Sequence, residues 1–407
     1  MLTPKLRFKD FKENWNDIEL GELLSFKNGI NAAKEDYGFG YKFINVLDII
    51  QNDFITHDSI IGEVNITESD FEKNKVEYGD ILFQRSSETR EEVGQANVYL
   101  DKDNPATFGG FVIRGKMESD YNPSFLNCLL KTSSSRKEIT TKSGGSTRFN
   151  VSQGTLSEVK INLPSLPEQQ KIADFFSTVD KKIQALSKRK ELLESYKRGV
   201  MQQIFKQEIR FKDADGSDYP DWEEKRLGDV TKYSDGTHQT PKYTKTGVPF
   251  YSVEHVTAND FSKTKFISEE VWLKENKRVK LEREDILMTR IGNIGTPRLL
   301  DWDVRASFYV SLALIKANES FNSSYLTQFI QSQYFQKQLW RRTIHVAFPQ
   351  KINLGEIGKC LLLLPSIEEQ AKIANFLSAI DDKINTVGSQ VEKMKEWKKG
   401  LLQQMFV

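Results

Sequence analysis

Apolar residues recur every seven positions along two stretches of the chain, and each stretch predicts one long helix. In residues 163–205 the apolar row is Ile172, Val179, Leu186, Leu193 and Val200. In residues 364–406 the row is Ile373, Ile380, Val387, Met394 and Leu401. A second row in the first stretch is interrupted by Lys190 and Lys197. An apolar period of seven over five repeats is typical of a coiled-coil seam, so we predict that the helices pair with each other rather than being two ordinary core helices.

The two stretches are copies of one another. They align without a gap at a constant offset of 201 positions, and 19 of the 43 aligned residues are identical. Each copy has a serine three residues ahead of a glutamate, Ser165 with Glu168 and Ser366 with Glu369. This spacing predicts a capping box, in which the two side chains satisfy backbone N–H groups that the first helical turn leaves unpaired.

The similarity extends beyond the helices and predicts an internal duplication of the whole chain. The matching features are the segments 6–10 and 209–213, Trp15 and Trp222, the strand-like segments 80–85 and 285–290, and Asn122 and Asn322, each opening a predicted helix of some 15 residues. We predict an α+β fold in which two mixed α/β domains are joined by two long antiparallel coiled-coil helices in a pseudo-twofold repeat. The predicted ranges are 1–163 for the first domain, 164–206 for the first helix, 207–364 for the second domain and 365–407 for the second helix.

Composition narrows the class of protein without identifying it. The formal net charge is +1, which does not argue for nucleic acid, although basic residues can still gather on one face. No stretch approaches 18 apolar residues and the first ten residues lack a signal-peptide pattern, so we expect a cytoplasmic protein without membrane contact. Cys128 and Cys360 share no motif and are expected to be small buried side chains.

Three segments approach catalytic motifs, and each departs from its motif. Residues 110–116 fit G-x-x-x-x-G-K, but Met117 stands where a P-loop needs Ser or Thr, and the residues between the glycines predict a strand. Residues 122–125 lack the second proline of the adenine-methyltransferase tetrad. Residues 220–225 resemble a nuclease pattern, but their acidic groups fall within one turn and lack the strand spacing needed to converge on a metal. The four histidines show no ligand spacing. We therefore expect no catalytic residue, no metal site and no cofactor on this chain, and hypothesise a binding or scaffolding protein.

The two halves share apolar, glycine and aspartate positions but differ in the segments between them. Residues 28–41 and 86–95 differ from their counterparts, residues 235–247 and 291–297. Binding residues concentrate on loops held by a rigid scaffold. The difference therefore favours recognition of two different ligands by one architecture.

A duplicated mixed domain, each copy followed by LPSLPEQQKIA (163–173) or LPSIEEQAKIA (364–374) and a long helix, resembles the specificity subunit of type I restriction–modification systems. The Asp-Ile-Leu strands ending at Arg85 and Arg290, and DGTHQTP at 235–241, add to a resemblance that covers essentially the whole chain. The resemblance implies two target recognition domains, each reading one half of a bipartite site in double-stranded DNA, at a spacing set by the paired helices. It also implies two methyltransferase subunits that bring S-adenosylmethionine, with or without a restriction and translocation subunit that uses ATP and Mg.

The residues that contact DNA are predicted from side-chain chemistry, because arginine and lysine suit guanine and phosphate while asparagine and glutamine suit adenine. In the first domain the candidates are Arg85, Ser86, Ser87, Arg90, Lys142, Thr147 and Arg148. In the second domain they are His238, Thr240, Lys242, Tyr243, Arg290, Asn293, Arg298, His345, Gln350 and Lys351. On the helices, Phe175, Tyr196 and Trp397 lie off the seam and are predicted to contact the methyltransferase subunits.

Two other functions stay open at this point. One is a stand-alone two-domain DNA-binding protein without a methyltransferase partner. The other is a structural coiled-coil adaptor, which leaves the difference between the loops of the two domains unexplained. Each candidate residue also has a plainer role as an exposed loop residue or a salt-bridge partner.

Overall fold

The computed structural model describes residues 3–406, and the chain divides into two compact units. Unit 1 is Met1–Ser187 with Ser389–Val407, and unit 2 is Lys188–Gly388. The predicted domain ranges start at residue 1 and stop at residue 407, so residues 1, 2 and 407 of those ranges lie outside the described residues. Both boundaries between the units fall inside long helices, so each unit holds one mixed domain and part of both helices.

Unit 1 is built from short strands with short helices between them. The strands are β1 (Asn16–Glu19), β2 (Leu24–Asn28), β3 (Tyr37–Ile44), β4 (Glu63–Val64), β5 (Ile81–Gln84), β6 (Ser86–Ser87), β7 (Ala96–Val98), β8 (Thr107–Phe108), β9 (Val112–Met117), β10 (Phe149–Asn150) and β11 (Lys160–Leu163). The helices are α1 (Leu20–Leu23), α2 (Val46–Gln51), α3 (Glu68–Lys73), α4 (Pro123–Leu130), α5 (Ser133–Lys142) and α6 (Gln153–Ser157), followed by the first long helix, α7 (Leu166–Phe205).

Unit 2 contains similar elements in a similar order, without strands that correspond to the β6–β10 pair of unit 1. The strands are β12 (Glu223–Arg226), β13 (Tyr233–Asp235), β14 (Tyr243–Thr244), β15 (Val248–Tyr251), β16 (Lys265–Ile267), β17 (Ile286–Thr289), β18 (Pro297–Leu299), β19 (Ser307–Phe308), β20 (Leu312–Ile315) and β21 (Leu361–Leu364). The helices are α8 (Leu227–Val230), α9 (Val253–Ala258), α10 (Glu269–Arg278), α11 (Ser323–Ile330), α12 (Gln333–Arg342) and α13 (Leu354–Gly358), followed by the second long helix, α14 (Ile367–Met405).

The sheets of the two units repeat one topology, which confirms the predicted duplication. In unit 1 a four-stranded antiparallel sheet has the order β2-β9-β5-β7, and in unit 2 the order is β13-β20-β17-β18. A parallel pair follows in each unit, β3 with β8 and β15 with β19. The strands at the centre of each sheet, β5 and β17, are buried along their whole length and end directly before Arg85 and Arg290, as predicted.

The two long helices form the predicted antiparallel coiled coil. The heptad residues are buried, apart from Leu193 and Met394, which are half-buried. In unit 1 the first turns of α7, with Ile172 and Phe176, share a core with Leu401 near the end of α14. In unit 2 the relation is reversed, because Ile204 near the end of α7 shares a core with the first turns of α14.

A charged pair in each unit connects the two helices. In unit 2 the Nζ of Lys197 lies 2.7 Å from both carboxylate oxygens of Asp381, and Lys197 is buried. In unit 1 the Nζ of Lys398 lies 2.6 Å from Asp180 Oδ1. Both partners are shifted by the same 201 positions between the copies. Lys197, one of the lysines that interrupt the apolar row, therefore forms an ion pair between the helices and helps to fix their register.

The glutamate that opens each long helix is held by an arginine from the start of its unit. Glu168 accepts hydrogen bonds of 2.7 Å from Nε and Nη2 of Arg7, and Glu369 accepts bonds of 3.2 and 2.8 Å from Arg210. The side chains of both glutamates are almost fully buried. The capping-box prediction is confirmed for the Ser366 hydroxyl, which accepts from the Glu369 N–H at 3.3 Å, but the carboxylates serve arginine instead of the helix end.

The glutamine after each of these glutamates ties the helix to the domain. Gln169 accepts from the backbone N–H of Asn122 at 2.9 Å and donates to the Pro164 carbonyl. Gln370 makes the same two bonds, accepting from Asn322 at 2.8 Å. Because buried amides need partners for both ends of the side chain, this geometry explains why both copies carry glutamine here.

Aromatic side chains close each core around the far end of a long helix. In unit 1, Phe406 packs against Trp15, Phe125 and Phe176 at ring distances of 6.3, 5.2 and 5.9 Å. In unit 2, Phe205 takes this place against Trp222, Tyr325 and Phe329 at 6.5, 6.0 and 5.1 Å. The phenylalanine that ends each repeat is therefore part of the core of the unit in which its helix terminates.

One secondary-structure prediction is wrong and two are confirmed. The predicted helix of some 15 residues is two helices, α4 and α5 in unit 1, because the hydroxyl of Thr132 accepts from the N–H of Ser135 and starts a new helix. The caps from Asn122 and Asn322 are confirmed. Residues of the G-x-x-x-x-G-K segment form β9, as predicted, and Cys128 and Cys360 are free thiols, half-buried and buried respectively. Among residues 3–406, no helix is long and apolar enough to cross a membrane.

The Lys197–Asp381 pair can be tested by exchanging its charges. We expect Lys197→Asp to lower the free energy of unfolding by about 2–3 kcal/mol, because it sets a buried carboxylate beside the partly exposed carboxylate of Asp381. Lys197→Asp with Asp381→Lys should recover most of the loss, as measured by urea unfolding followed by circular dichroism. The control is Lys188→Asp, whose exposed pair with Glu191 should change the stability by less than about 1 kcal/mol. A double variant no more stable than Lys197→Asp would contradict this role.

Candidate nucleic-acid interface

In each unit, three loops meet at the end of the central strand. In unit 1, loop 1 is 28–36, loop 2 is 85–95 and loop 3 is 143–150. In unit 2, loop 1 is 235–242, loop 2 is 290–296 and loop 3 is 343–351. In unit 1, strand pairing of 86–87 with 149–150 joins loops 2 and 3. In unit 2, Lys351 bridges to both Ile291 and Ile344, which joins the same two loops. The scaffold therefore presents equivalent loops side by side in both units.

A buried aspartate fixes the turn that leads into each central strand. Asp80 accepts backbone hydrogen bonds from Glu77 and Met117 at 3.0 and 3.1 Å, and burial raises the pKa of its carboxyl to about 6. Asp285 accepts in the same way from Glu282 and is also paired with Lys316. These turns hold the strands that carry loop 2 in place.

In unit 2, Arg290 of loop 2 connects the three loops by hydrogen bonds to Asp235 of loop 1 and to Ile352, directly after loop 3. Its guanidinium donates to the carbonyls of Val310 and Ile352 at 3.0 and 3.1 Å and to Asp235 Oδ2 at 3.2 Å. Only 11% of the side chain is exposed. Each of its three nitrogens thus has a partner inside the chain, so replacing Arg290 would disturb the loops as well as any contact with DNA. Contact of Arg290 with DNA stays a prediction.

In unit 1, the equivalent Arg85 is exposed to solvent. Its Nη1 donates to the Gly110 carbonyl at 3.2 Å, and its backbone joins β5 to loop 3 by accepting from Val151. Asn28 ends β2 where Asp235 ends β13, so the carboxylate of the Arg290 ion pair has no equivalent here. Arg85 therefore keeps donors directed to solvent that Arg290 uses within the chain.

Two of the seven unit 1 candidates line one groove, and the others lie on loops 2 and 3. Arg85 and Lys142 line the groove together with Asn150. Arg90 lies over the ring of Phe149 at 5.9 Å. Ser86, Thr147 and Arg148 lie on loops 2 and 3, and Thr147 and Arg148 are exposed. Ser87 differs from the others because it is buried and donates its hydroxyl to Glu92 at 3.0 Å.

Glycine at position 145 is required for the shape of loop 3 in unit 1. Gly145 has φ +120°, and a Cβ there would lie 1.9 Å from the carbonyl oxygen of Arg148. Only glycine adopts this conformation without strain. The close approach sets the tight bend that carries Thr147 and Arg148.

In unit 2, loops 2 and 3 enclose a hollow at the end of α12. Asn293, His345 and Gln350 line it together with Trp340. His345 shares a hydrogen bond of 2.9 Å with the Trp340 carbonyl, and Gln350 accepts from the Gly292 N–H at 2.8 Å. The exposed Lys351 follows directly. Four predicted residues from two loops therefore form one surface with amide, imidazole and ammonium groups.

The remaining unit 2 candidates occupy two places. His238 lies 3.0 Å from Asp235 Oδ2, and Thr240 lies 3.3 Å from the Tyr309 hydroxyl, so both belong to loop 1. Lys242 ends loop 1 and Tyr243 begins β14, and both are exposed. Arg298 lies on β18, outside the three loops and near Asp381 of α14, and its burial lowers the pKa of its guanidinium.

Several residues of this surface were missed by reasoning from sequence. Asp235 organises Arg290, His238 and Arg278 around one carboxylate. The side chain of Phe348 on loop 3 is fully exposed. Asp235 could not be found by a search for DNA contacts, because such a search looks for basic and amide side chains. Phe348 could have been found, because it is an apolar residue in a segment without an apolar period. Within residues 3–406, no group of three or more His, Cys, Asp or Glu side chains is placed to hold a metal ion.

The predicted partner-facing aromatics lie at equivalent positions of the two units. In unit 1, the ring of Phe175 contacts Phe8 at 6.0 Å and Trp397 at 6.1 Å. In unit 2, Phe376 contacts Phe211 at 5.7 Å, and Tyr196 stands where Trp397 stands in the first copy. Trp397 and Tyr196 are 49% and 54% exposed, so each unit presents one half-exposed aromatic ring on a long helix.

Comparison with known proteins identifies the family. The model of the type I restriction modification DNA specificity domain matches twice, at residues 12–195 and 219–393. The putative type I restriction enzyme MjaX specificity subunit of Methanocaldococcus jannaschii is 26% identical, covering 98% of this chain and 94% of that protein. The EcoKI specificity subunit of Escherichia coli is 22% identical, covering 91% of this chain and 81% of that protein.

Solved structures share the fold. The S subunit of the type I restriction–modification system from M. genitalium superposes with a TM-score of 0.60 at 17% identity, covering 100% of this chain and 99% of that chain. A chain from another type I restriction–modification system gives a TM-score of 0.56 at 15% identity, covering 97% and 98%. The two matched domains span most of the sequence, and the chain belongs to the family of type I restriction–modification DNA specificity subunits.

Proposed function

We propose that this chain is the sequence-reading subunit of a DNA methyltransferase complex, in which each unit reads one half of a bipartite target in double-stranded DNA. It performs no catalysis itself. The proposal places the protein in the cytoplasm with its DNA. S-adenosylmethionine, and ATP with Mg where a restriction and translocation subunit is present, belong to its partners.

The observation that carries the proposal is one scaffold with two different loop surfaces. Loop 3 reads Ser-Gly-Gly-Ser-Thr-Arg-Phe-Asn in unit 1 and Thr-Ile-His-Val-Ala-Phe-Pro-Gln-Lys in unit 2. Loop 2 carries the solvent-directed Arg85 in one unit and the clasped Arg290 in the other. Base edges are distinguished by such differences in donors and acceptors, whereas the scaffold fixes where they are presented. Two different surfaces on equivalent sites suit an asymmetric target.

The paired helices suit the role of a spacer between the two half-sites. Each is unbroken, with 40 residues in α7 and 39 in α14, and each passes from one unit into the other. The spacing of half-sites follows from such a rigid connection. The gap between the half-sites is then a property of helix length, independent of the loops.

The two half-exposed aromatic positions support docking of two methyltransferase subunits. Trp397 contacts Phe175, and Tyr196 and Phe376 occupy the equivalent positions of the other copy, 201 residues away in sequence. Aromatic residues are enriched at the energetic centres of protein interfaces. A stand-alone DNA-binding protein has no use for two matched patches on its helices, which makes this alternative the weaker one.

The proposal is tested by mapping N6-methyladenine in DNA treated with this chain and its methyltransferase subunits. We expect a bipartite motif with an unread gap. A variant with one extra heptad after Ser187 and one after Gly388 keeps the seam and lengthens the paired helices by about 10 Å. It should enlarge the gap by roughly three base pairs and leave both half-sites unchanged. An extra heptad in one helix alone is the control and should abolish folding. A continuous motif, or an unchanged gap, would contradict the proposal.

Single substitutions should act on one half-site at a time. We expect Arg85→Ala to relax one position of the half-site read by unit 1, and Gln350→Ala to relax one position of the other. Each lost base contact should reduce discrimination against the wrong base by about 1–3 kcal/mol. Competition binding with duplexes altered in either half measures both effects, and each variant is the control for the other. Loss of discrimination at both half-sites from one substitution would argue against independent reading.

A substitution at one of the two aromatic positions should remove one methyltransferase subunit and leave the other bound. Trp397→Lys should leave a complex with one methyltransferase subunit, Tyr196→Lys should do the same, and the double variant should bind none, because an ammonium replaces the aromatic anchor. Native mass spectrometry counts the subunits. Leu166→Lys is the matched control, since Leu166 is 46% exposed on the same helix and lies about eight turns away from Tyr196. Loss of both subunits from one substitution would show that the patches are not separate sites.

A further inference from the structure

Loop 3 of unit 2 exposes two large apolar side chains at its tip. Val346 is 98% exposed and Phe348 is 105% exposed, and Trp340 at the end of α12 is 68% exposed. Exposed apolar patches on folded domains mark surfaces that bind another molecule. In unit 1, loop 3 carries glycine, serine, threonine and arginine instead, with its phenylalanine half-buried.

The base of this loop is held firmly, so its tip is a defined protrusion. The N–H of Ile344 donates to the Lys351 carbonyl at 2.8 Å, and the N–H of Gly292 donates to the Gln350 carbonyl at 2.8 Å. The imidazole of His345 packs on Trp340 at 4.8 Å. These contacts leave residues 346–349 between two anchored ends, and such a preorganised loop loses little entropy on binding.

The groups around the tip match nucleic acid better than protein. His345, Gln350 and Lys351 flank it, Asn293 lies beside it in loop 2, and residues 343–351 contain no acidic side chain. Basic and amide groups suit phosphates and base edges. Apolar side chains between such groups are what proteins use to part stacked bases, and phenylalanine is among the residues that do so.

We propose that Phe348 inserts as a wedge between two stacked base pairs of the half-site read by unit 2, with Val346 beside it, and bends the duplex there. This inference rests on the proposed function and adds the way in which one half-site is read. Pyrimidine–purine steps unstack more easily than others. Phe348 therefore selects a deformable step, which the polar residues of the loops need not contact.

The polar loop 3 of unit 1 makes the two half-sites unequal. The half-site of unit 2 is read partly through its ability to unstack, whereas the half-site of unit 1 is read without a wedge from this loop. Unstacking by a wedge should therefore be confined to one side of the bipartite target, apart from the adenines that the methyltransferase subunits flip out of the duplex for methylation.

The experiment uses the full chain with its methyltransferase subunits and duplexes of the mapped target, in which 2-aminopurine replaces one adenine at a time. The methylated adenines are left unchanged, because the methyltransferase flips its target base out of the stack. Unstacking raises the fluorescence of this base. In the wild-type complex we expect a severalfold rise at one step of the unit 2 half-site. Phe348→Ala should abolish the rise and weaken binding roughly tenfold, and Phe348→Leu, which keeps an apolar wedge, should restore part of both. Phe54→Ala removes a phenylalanine that is 42% exposed in unit 1 and should change neither readout.

The outcomes separate the wedge from the function on which it rests. A complex that methylates a bipartite motif but shows no rise at any step, or the same rise with Phe348→Ala, overturns the wedge and leaves the proposed function standing. Phe348→Ala that releases a methyltransferase subunit without altering the fluorescence also overturns it, because the loop would then bind protein. Absence of a bipartite motif overturns both.

Discussion

The pairing of the two long helices is the interaction on which both units depend. Each core is closed by Phe205 or Phe406, the phenylalanine at the far end of the helix that began in the other unit. Apolar seams tolerate sliding by a whole heptad, since every heptad offers a similar face. The Lys197–Asp381 and Lys398–Asp180 pairs oppose such sliding, because the buried Lys197 and the partly buried Lys398 would each lose their aspartate. Register, core closure and the placement of loops therefore follow from one pairing.

The motif that marks this family in the sequence works as a joint between domain and helix. Glu168 holds Arg7 and Gln169 holds the backbone of Asn122, and the second copy repeats both contacts. None of these groups belongs to the three loops of either unit. The repeated residues belong to the frame, and the proposed base-reading chemistry lies in loops whose sequences share little. A frame so strongly specified lets the loops vary without loss of the fold.

Periodic features were predictable from the sequence, and contacts between distant segments were not. The coiled coil, the duplication and the strands ending at Arg85 and Arg290 follow from local patterns. A seven-residue period or an apolar strand is visible in the residues of the element itself. The arginine partner of Glu168 lies 161 positions away and leaves no local trace. Arg290 was predicted from its side-chain chemistry to contact DNA, and that stays a prediction; its three partners within the chain come from three separate segments and could not be read from the sequence. The helix break at Thr132 was missed because its hydroxyl caps a second helix inside one amphipathic pattern.

Closure of the first core by Phe406 has a consequence for synthesis on the ribosome. Trp15, Phe125 and Phe176 are made early, whereas Leu401, Met405 and Phe406, which cover them, are made about half a chain later. At ordinary translation speed this interval lasts roughly ten to forty seconds. During that time the nascent first unit presents an open aromatic surface, and the second unit, whose core needs only residues 188–388, is completed first. The first unit, although begun first, is thus closed only when the last turns of α14 are made.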